Sequence, residues 1–159
     1  MSVAALAAPS HECGVASQPA DQIQHGTIVK NLEDVLHFGR PLAEAGARFS
    51  AGELRLFTDV LRQVQTRYTR RLRAVKLVGS RARRTAMDRS DYDFLVFLDR
   101  CDYEVEVPKL EELAYQLTLK HGLGAVSLSP MTCEQFDGLG AKYPGITDEF
   151  RRDAVNIWP

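Results

Sequence analysis

Cysteine is scarce in this chain. There are three, Cys13, Cys101 and Cys133, odd in number and far apart, with no C-x-x-C pair. That excludes a disulfide framework and a zinc ribbon, and it predicts reduced thiols in a cytoplasmic protein. His11 lies close to Cys13, but with no second ligand pair the two read as tail residues. Long apolar runs are also missing. None approaches the ~18–20 residues needed to cross a bilayer. The opening MSVAALAAPS is mildly apolar but has neither a basic n-region nor a full h-region, so no signal peptide is expected. No internal repeat is visible.

What is present fits one domain. The chain has 159 residues, 45% hydrophobic and 26% charged, enough for a single proper core. The net charge is only -1, but the charge is unevenly spread. Arg62, Arg67, Arg70, Arg71, Arg73, Lys76, Arg81, Arg83, Arg84 and Arg89 fall within residues 62–89, with Asp88 the sole acid among them. One reading is a solvated helix end followed by a polar loop. The other is an electropositive rim that draws in an anion such as a nucleoside triphosphate. Nucleic acid is the lesser anionic candidate, because the basic stripe has few aromatics interleaved with it.

Along the chain, residues 1–26 are rich in Ala, Ser, Gln and Pro without a period, and read as a mobile or loosely docked tail. Residues 27–49 form an N-terminal extension in which Ile28, Val29, Leu32, Val35, Leu36 and Phe38 suit a strand end and a short helix, broken at Gly39-Arg40-Pro41. The main domain spans 50–159. Ser50 and Glu53 predict a capping box. The helix after it carries Leu54, Phe57, Leu61, Val64 and Tyr68 on one stripe. Leu72–Val78 and Tyr92–Asp99 read as strands. Cys101–Glu106 reads as a polar connection. Pro108 suits a first helical turn and Gly122 the helix end, with Leu110, Leu113, Leu117 and Leu119 as apolar contacts. Ala125–Leu128 reads as a strand halted by Pro130. Thr132 and Gln135 predict a second capping box, opening a short helix through Phe136. Thr147 is expected to cap a last short helix over Phe150, and Val155–Trp158 to be a strand or a docked tail.

Residues 79–99, GSRARRTAMDRSDYDFLVFLD, carry the chemistry. Gly79-Ser80 closes one apolar run and Ser90-Asp91-Tyr92-Asp93 opens the next. Alternate residues of a strand share a face, so Asp91 and Asp93 point the same way, their Cα atoms roughly 6.5 Å apart. Two carboxylates on one sheet edge beside a small turn form a site for a hard divalent cation carrying phosphates. Tyr92 alternates away and reads as core. Asp99 lies about three pleats on and reads as a surface acid. His121, at a helix end, has a structural role.

Gly-Ser, about ten residues, then Asp-x-Asp on a strand resembles the signature of the DNA polymerase β-like nucleotidyltransferase superfamily, most closely its minimal nucleotidyltransferases (MNT). Gly79, Ser80, Ala82, Ser90, Asp91, Asp93 and Phe94 fall on that pattern. The resemblance implies an α+β (α/β palm) fold, a small mixed sheet flanked by helices. It implies transfer of a nucleoside monophosphate, with AMP favoured, from its triphosphate to a hydroxyl acceptor, with Mg²⁺ (or Mn²⁺) as cofactor and ATP as the favoured donor. Asp91 and Asp93 are the implied metal-binding and catalytic acids, and Gly79 and Ser80 the implied phosphate-binding residues. Arg81 and Arg83 join them by position, to shield the leaving pyrophosphate. A HEPN-type toxin as partner, with this chain as its antitoxin, is implied too. No membrane association is expected, and an oligomer stays open.

Two positions depart from the pattern. Arg84 stands where relatives have a second glycine. Ser127, within Val126-Ser127-Leu128, stands where active relatives carry a third acid, and Glu134 lies seven residues beyond it. These departures keep an alternative open, a catalytically degenerate nucleotide- or partner-binding module. A third reading, transfer to a small molecule, needs a pocket that residues 27–49 alone are too short to build.

Overall fold

The computed structural model describes residues 37–159. The expected tail over 1–26, and Ile28, Val29, Leu32, Val35 and Leu36 of the extension, lie outside the described residues. The elements are β1 (Arg40–Pro41), α1 (Leu42–Ala45), a 3-10 turn (Gly46–Arg48), α2 (Ala51–Tyr68), β2 (Leu72–Val78), α3 (Gly79–Arg83), β3 (Tyr92–Leu98), α4 (Tyr103–His121), β4 (Val126–Met131), α5 (Cys133–Lys142), α6 (Pro144–Asp153) and β5 (Val155–Trp158). The five strands form one mixed sheet in the order β1-β5-β2-β3-β4. β2 runs antiparallel to β3 and to β5, while β3/β4 and β1/β5 are parallel. The result is a mixed α/β domain with a small sheet flanked by helices. Among the described residues, no helix is long and apolar enough to cross a membrane.

Strand alternation sorts the core onto two faces. On the first, Val75, Leu77, Phe94, Val96, Val126 and Leu128 meet Leu56, Phe57, Val60 and Val64 of α2 and Leu110, Leu113 and Leu117 of α4. On the second, Ala74, Val78, Leu95 and Phe97 meet Phe38, Cys133 and Phe136. Phe38 stacks on Phe136, with ring centroids 5.4 Å apart. Residues 38–45 are therefore integral to the fold, with Phe38 in the second core and β1 paired to β5.

Several expectations are corrected. The buried stripe of α2 runs through Leu56, Phe57, Val60, Val64 and Tyr68, and leaves Leu54 and Leu61 at its margin. Cys101–Glu106 is no connection throughout, because α4 begins at Tyr103. Its acids suit a helix N-terminus. Glu106 is buried and accepts from the Tyr68 hydroxyl at 2.9 Å and from Arg71 at 3.0 Å. Pro108 consequently sits inside α4 rather than in its first turn, at the loss of one hydrogen bond to the Glu104 carbonyl. Leu119 is exposed. α5 runs on to Lys142, and α6 starts at Pro144, with Thr147 inside it donating to the Pro144 carbonyl. The second strand ends at Leu98, before Asp99.

Nor does Pro130 halt β4, which continues to Met131. The backbone hydrogen bonds explain why. Tyr92 N–H donates to the Ala125 carbonyl, so Ala125, Ser127 and Ser129 turn their backbone groups toward β3, and Val126, Leu128 and Pro130 turn theirs outward. Pro130 has no N–H to donate, and on this edge strand none is needed. The Val126 N–H is taken by the Thr118 hydroxyl at 2.9 Å.

Lys76 is the anomaly of the second face. It is 1% exposed, in the central strand β2, and among the described residues no carboxylate is paired with it. Its ammonium donates to the Phe38 carbonyl at 2.7 Å and to Asn156 Oδ1 at 2.6 Å, and lies 4.3 Å from the Phe38 ring centroid. The other cation facing that ring is Arg151, at 5.5 Å. Burial lowers the Lys76 pKa from 10.5 to about 8. Above pH 8 the folded chain releases this proton while the unfolded chain still holds it. Stability is therefore expected to rise as pH increases from about 8 toward 10.5, by about 2–3 kcal/mol. Urea titrations across that window should show the rise, and Lys76→Met should flatten it.

Candidate active site

The site forms where β2 ends, β3 begins and β4 begins. Val78 pairs with Asp93, and Asp93 pairs in turn with Ser127, so Val78, Asp93 and Ser127 lie in one row across the sheet. Asp93 has the parity of Leu95 and Phe97 and faces the second core, although its carboxyl is only half-buried. Asp91 immediately precedes β3 and is exposed. Burial first, and the Asp91 charge second, push the Asp93 carboxyl above the usual range, and no cation among the described residues offsets them. Tyr92 points the opposite way into the first core, as its alternation predicts.

Gly79 closes the site from the β2 side. It adopts φ +74°, and a Cβ there would lie 2.8 Å from Asp93 Oδ2. The turn thus presses its backbone against the carboxylate, an approach that glycine alone permits. Ser80 follows in the first turn of α3, its carbonyl accepting from the N–H groups of Arg84 and Thr85. Gly79, Ser80, Asp91 and Asp93 are therefore brought together.

The two predicted arginines are committed elsewhere. Arg81 turns inward, donating to the Ser90 carbonyl at 3.0 Å and the Asp88 carbonyl at 3.2 Å. Its guanidinium sits 4.4 Å over the Tyr92 ring and 3.7 Å from Glu53. Glu53, the capping-box acid of α2, also accepts from the Tyr92 hydroxyl at 3.0 Å. Arg81 therefore braces the loop that delivers Asp91. Arg83 pairs with Glu149 of α6 at 3.1 Å. Asp99 is bonded by Arg73, and His121 by Asp59 at 2.9 Å, both away from the acid pair.

Ser127 occupies the row position beside Asp93. Glu134 does not replace it. Met131, three residues before Glu134, already pairs with Phe97, four residues along β3 from Asp93, so the chain has moved roughly 13 Å away. Among the described residues, no three His, Cys, Asp or Glu side chains gather as a metal cage. The donor set is two carboxylates flanked by a serine, which suits an ion that keeps water and phosphate ligands. Outside the row, a groove of about 400 Å³ runs along the β4 edge, bordered by Tyr103, Glu111, Tyr115 and Ser127.

Sequence reasoning missed Arg48. It lies ahead of the capping box and outside the motif, yet it reaches α3 to donate to the Ala82 carbonyl at 3.2 Å. Nothing in the pattern of residues 27–49 signals that contact. The chain has no match among family models, curated proteins or solved structures.

Proposed function

We propose that the protein is a nucleotidyltransferase that moves a nucleoside monophosphate, AMP by preference, from a triphosphate to a hydroxyl acceptor. One observation carries this reading: a glycine backbone pressed on one of two neighbouring carboxylates that no cation among the described residues neutralises. Such a pair is costly to keep unless a ligand of opposite charge completes it. The small mixed sheet flanked by helices and the Gly79-Ser80 turn are consistent with what the polymerase β-like resemblance implies.

Asp91 and Asp93 would hold Mg²⁺ or Mn²⁺, which supplies positive charge against the phosphates. The Gly79-Ser80 turn brings the triphosphate close, and Ser80 offers a hydroxyl to it. In the reaction the acceptor oxygen bonds to the α-phosphorus, and the bond from that phosphorus to the β-bridging oxygen breaks. Pyrophosphate leaves with the electron pair, and the hydroxyl proton passes to water because Ser127 provides no carboxylate. The chain's contribution is positioning and charge. A hydroxyl on a small partner protein of the HEPN type is the acceptor favoured by the MNT resemblance, with this chain as the antitoxin.

The test is intact-mass analysis after incubation with each nucleoside triphosphate and Mg²⁺, alone and with co-purified partner. A gain of one nucleotide mass, lost in an Asp91→Ala/Asp93→Ala variant, is expected. Equal labelling of both proteins would reject chemistry at this site. The placement of Ser127 favours a second reading, a degenerate module that binds nucleotide without turnover. Nucleotide binding by calorimetry with no pyrophosphate released would select it.

A further inference from the structure

A second charged cluster lies at the other end of α3. Its cavity, about 150 Å³, is lined by Arg48, Phe49, Glu53, Arg81, Arg84 and Ala86. Three of the six are arginines and one is an acid. That acid is already engaged by the Ser50 N–H at 2.8 Å, the Tyr92 hydroxyl and Arg81. Arg48 and Arg84 share the cavity wall, and among the described residues neither is paired with a carboxylate. The Arg48 guanidinium carbon lies 5.2 Å from the Phe49 ring centroid, and its Nε is buried with no hydrogen-bond partner among the described residues. Burial first, then the charges of Arg40 and Arg84, lower the Arg48 pKa.

The backbone adds an independent observation. Arg84 closes α3 with φ +66°, in the left-handed region. A non-glycine residue is strained there, and such strain persists where the surrounding structure holds it in place. A glycine would make the same turn without strain. An exposed arginine in a strained backbone and a partly buried arginine, lining one cavity of a few atoms' volume, have the chemistry of an anion site.

We infer that Arg48 and Arg84 form a phosphate-binding site separate from the acid pair. It takes a phosphate or pyrophosphate group, in which the unpartnered Nε and the two guanidinium forks find oxygen acceptors. Two sources supply that chemistry: a free anion, or the tail of a triphosphate whose other end lies at Asp91 and Asp93. The five residues of α3 span about 7.5 Å, within the length of a triphosphate chain.

The decisive variant is Arg84→Gly, since its two effects have opposite signs. Relief of the left-handed strain is expected to raise the melting temperature of the ligand-free protein by roughly 2–4 °C. Loss of the guanidinium is expected to weaken anion binding about tenfold. Arg48→Gln serves as the second variant. Calorimetry is run with inorganic phosphate, with pyrophosphate under EDTA, and with ATP under Mg²⁺. Weakening with pyrophosphate alone assigns a free anion, and weakening confined to ATP with Mg²⁺ assigns the nucleotide tail. Unchanged affinity of both variants for all three ligands, or no binding of any by the wild type, would overturn the site. Loss of nucleotide transfer in the acid-pair variant leaves the pyrophosphate arm unaffected, so the two proposals fail separately.

Discussion

Asp93→Asn is expected to cut the proposed nucleotidyl transfer steeply and, at the same time, to stabilise the metal-free protein. The two outcomes have one cause. Asp93 is half-buried at the end of β3, and its carboxyl is raised above the usual range by burial and by the Asp91 charge. A carboxyl raised in the fold binds its proton more tightly there than in the unfolded chain. Its contribution is therefore full below the unfolded value, about 3.9, and is lost as pH rises through the higher folded value. Above that folded value the wild type bears the penalty of an ionised acid beside another acid. Asparagine keeps the shape and removes the charge. Melting curves should coincide near pH 3 and separate toward pH 7, with the variant higher. Added Mg²⁺ should raise the wild type in proportion to ligand linkage and leave the variant unmoved. Transfer should fall by on the order of 10²–10³-fold or more, as for removal of one preorganised charge partner. A variant that melts below the wild type at pH 7, or that retains its Mg²⁺ response, would contradict this account of the site.

Gly79→Ala should be strongly destabilising. The new Cβ would lie 2.8 Å from Asp93 Oδ2, and φ +74° is unfavourable for any side chain. The conformational term is about 1–2 kcal/mol and the overpacking term about 1–3 kcal/mol. Together they predict a loss of about 3 kcal/mol and a fall in melting temperature of roughly 6–12 °C. The two contributions can be separated. In an Asp93→Ala background the oxygen that the methyl strikes is gone, so only the conformational part remains. A double-mutant cycle by chemical denaturation should give a coupling of at least about 1 kcal/mol. No coupling would mean that the turn does not press on the carboxylate.

The sequence was most legible where local chemistry and periodicity agreed. Both capping boxes, at Ser50/Glu53 and Thr132/Gln135, form in full because each needs only residues three apart. The strands Leu72–Val78 and Tyr92–Leu98 follow from apolar runs bounded by polar turns. Gly79, Asp91 and Asp93 meet because register and turn geometry are short-range. What was not legible depended on distant partners. Glu106 reads as solvent-facing until Tyr68 and Arg71, more than thirty residues earlier, fold against it. Pro130 reads as a stop until the strand order places it on an edge. Arg81 reads as a phosphate ligand until the Ser90 carbonyl and Glu53 engage it. Lys76 reads as one more positive charge of a basic stretch, whereas the sheet buries it under Phe38.

The outer margin of β4 has a consequence for self-association. An added strand needs alternating donors and acceptors, but here one donor is capped by Thr118 and another is absent at Pro130. The opposite margin of the sheet, β1, is only two residues long. Neither margin offers a template on which further copies could stack into a fibril. A chain with a net charge of only -1 has little electrostatic repulsion to keep its copies apart, and relies instead on these two poor templates to discourage cross-β growth.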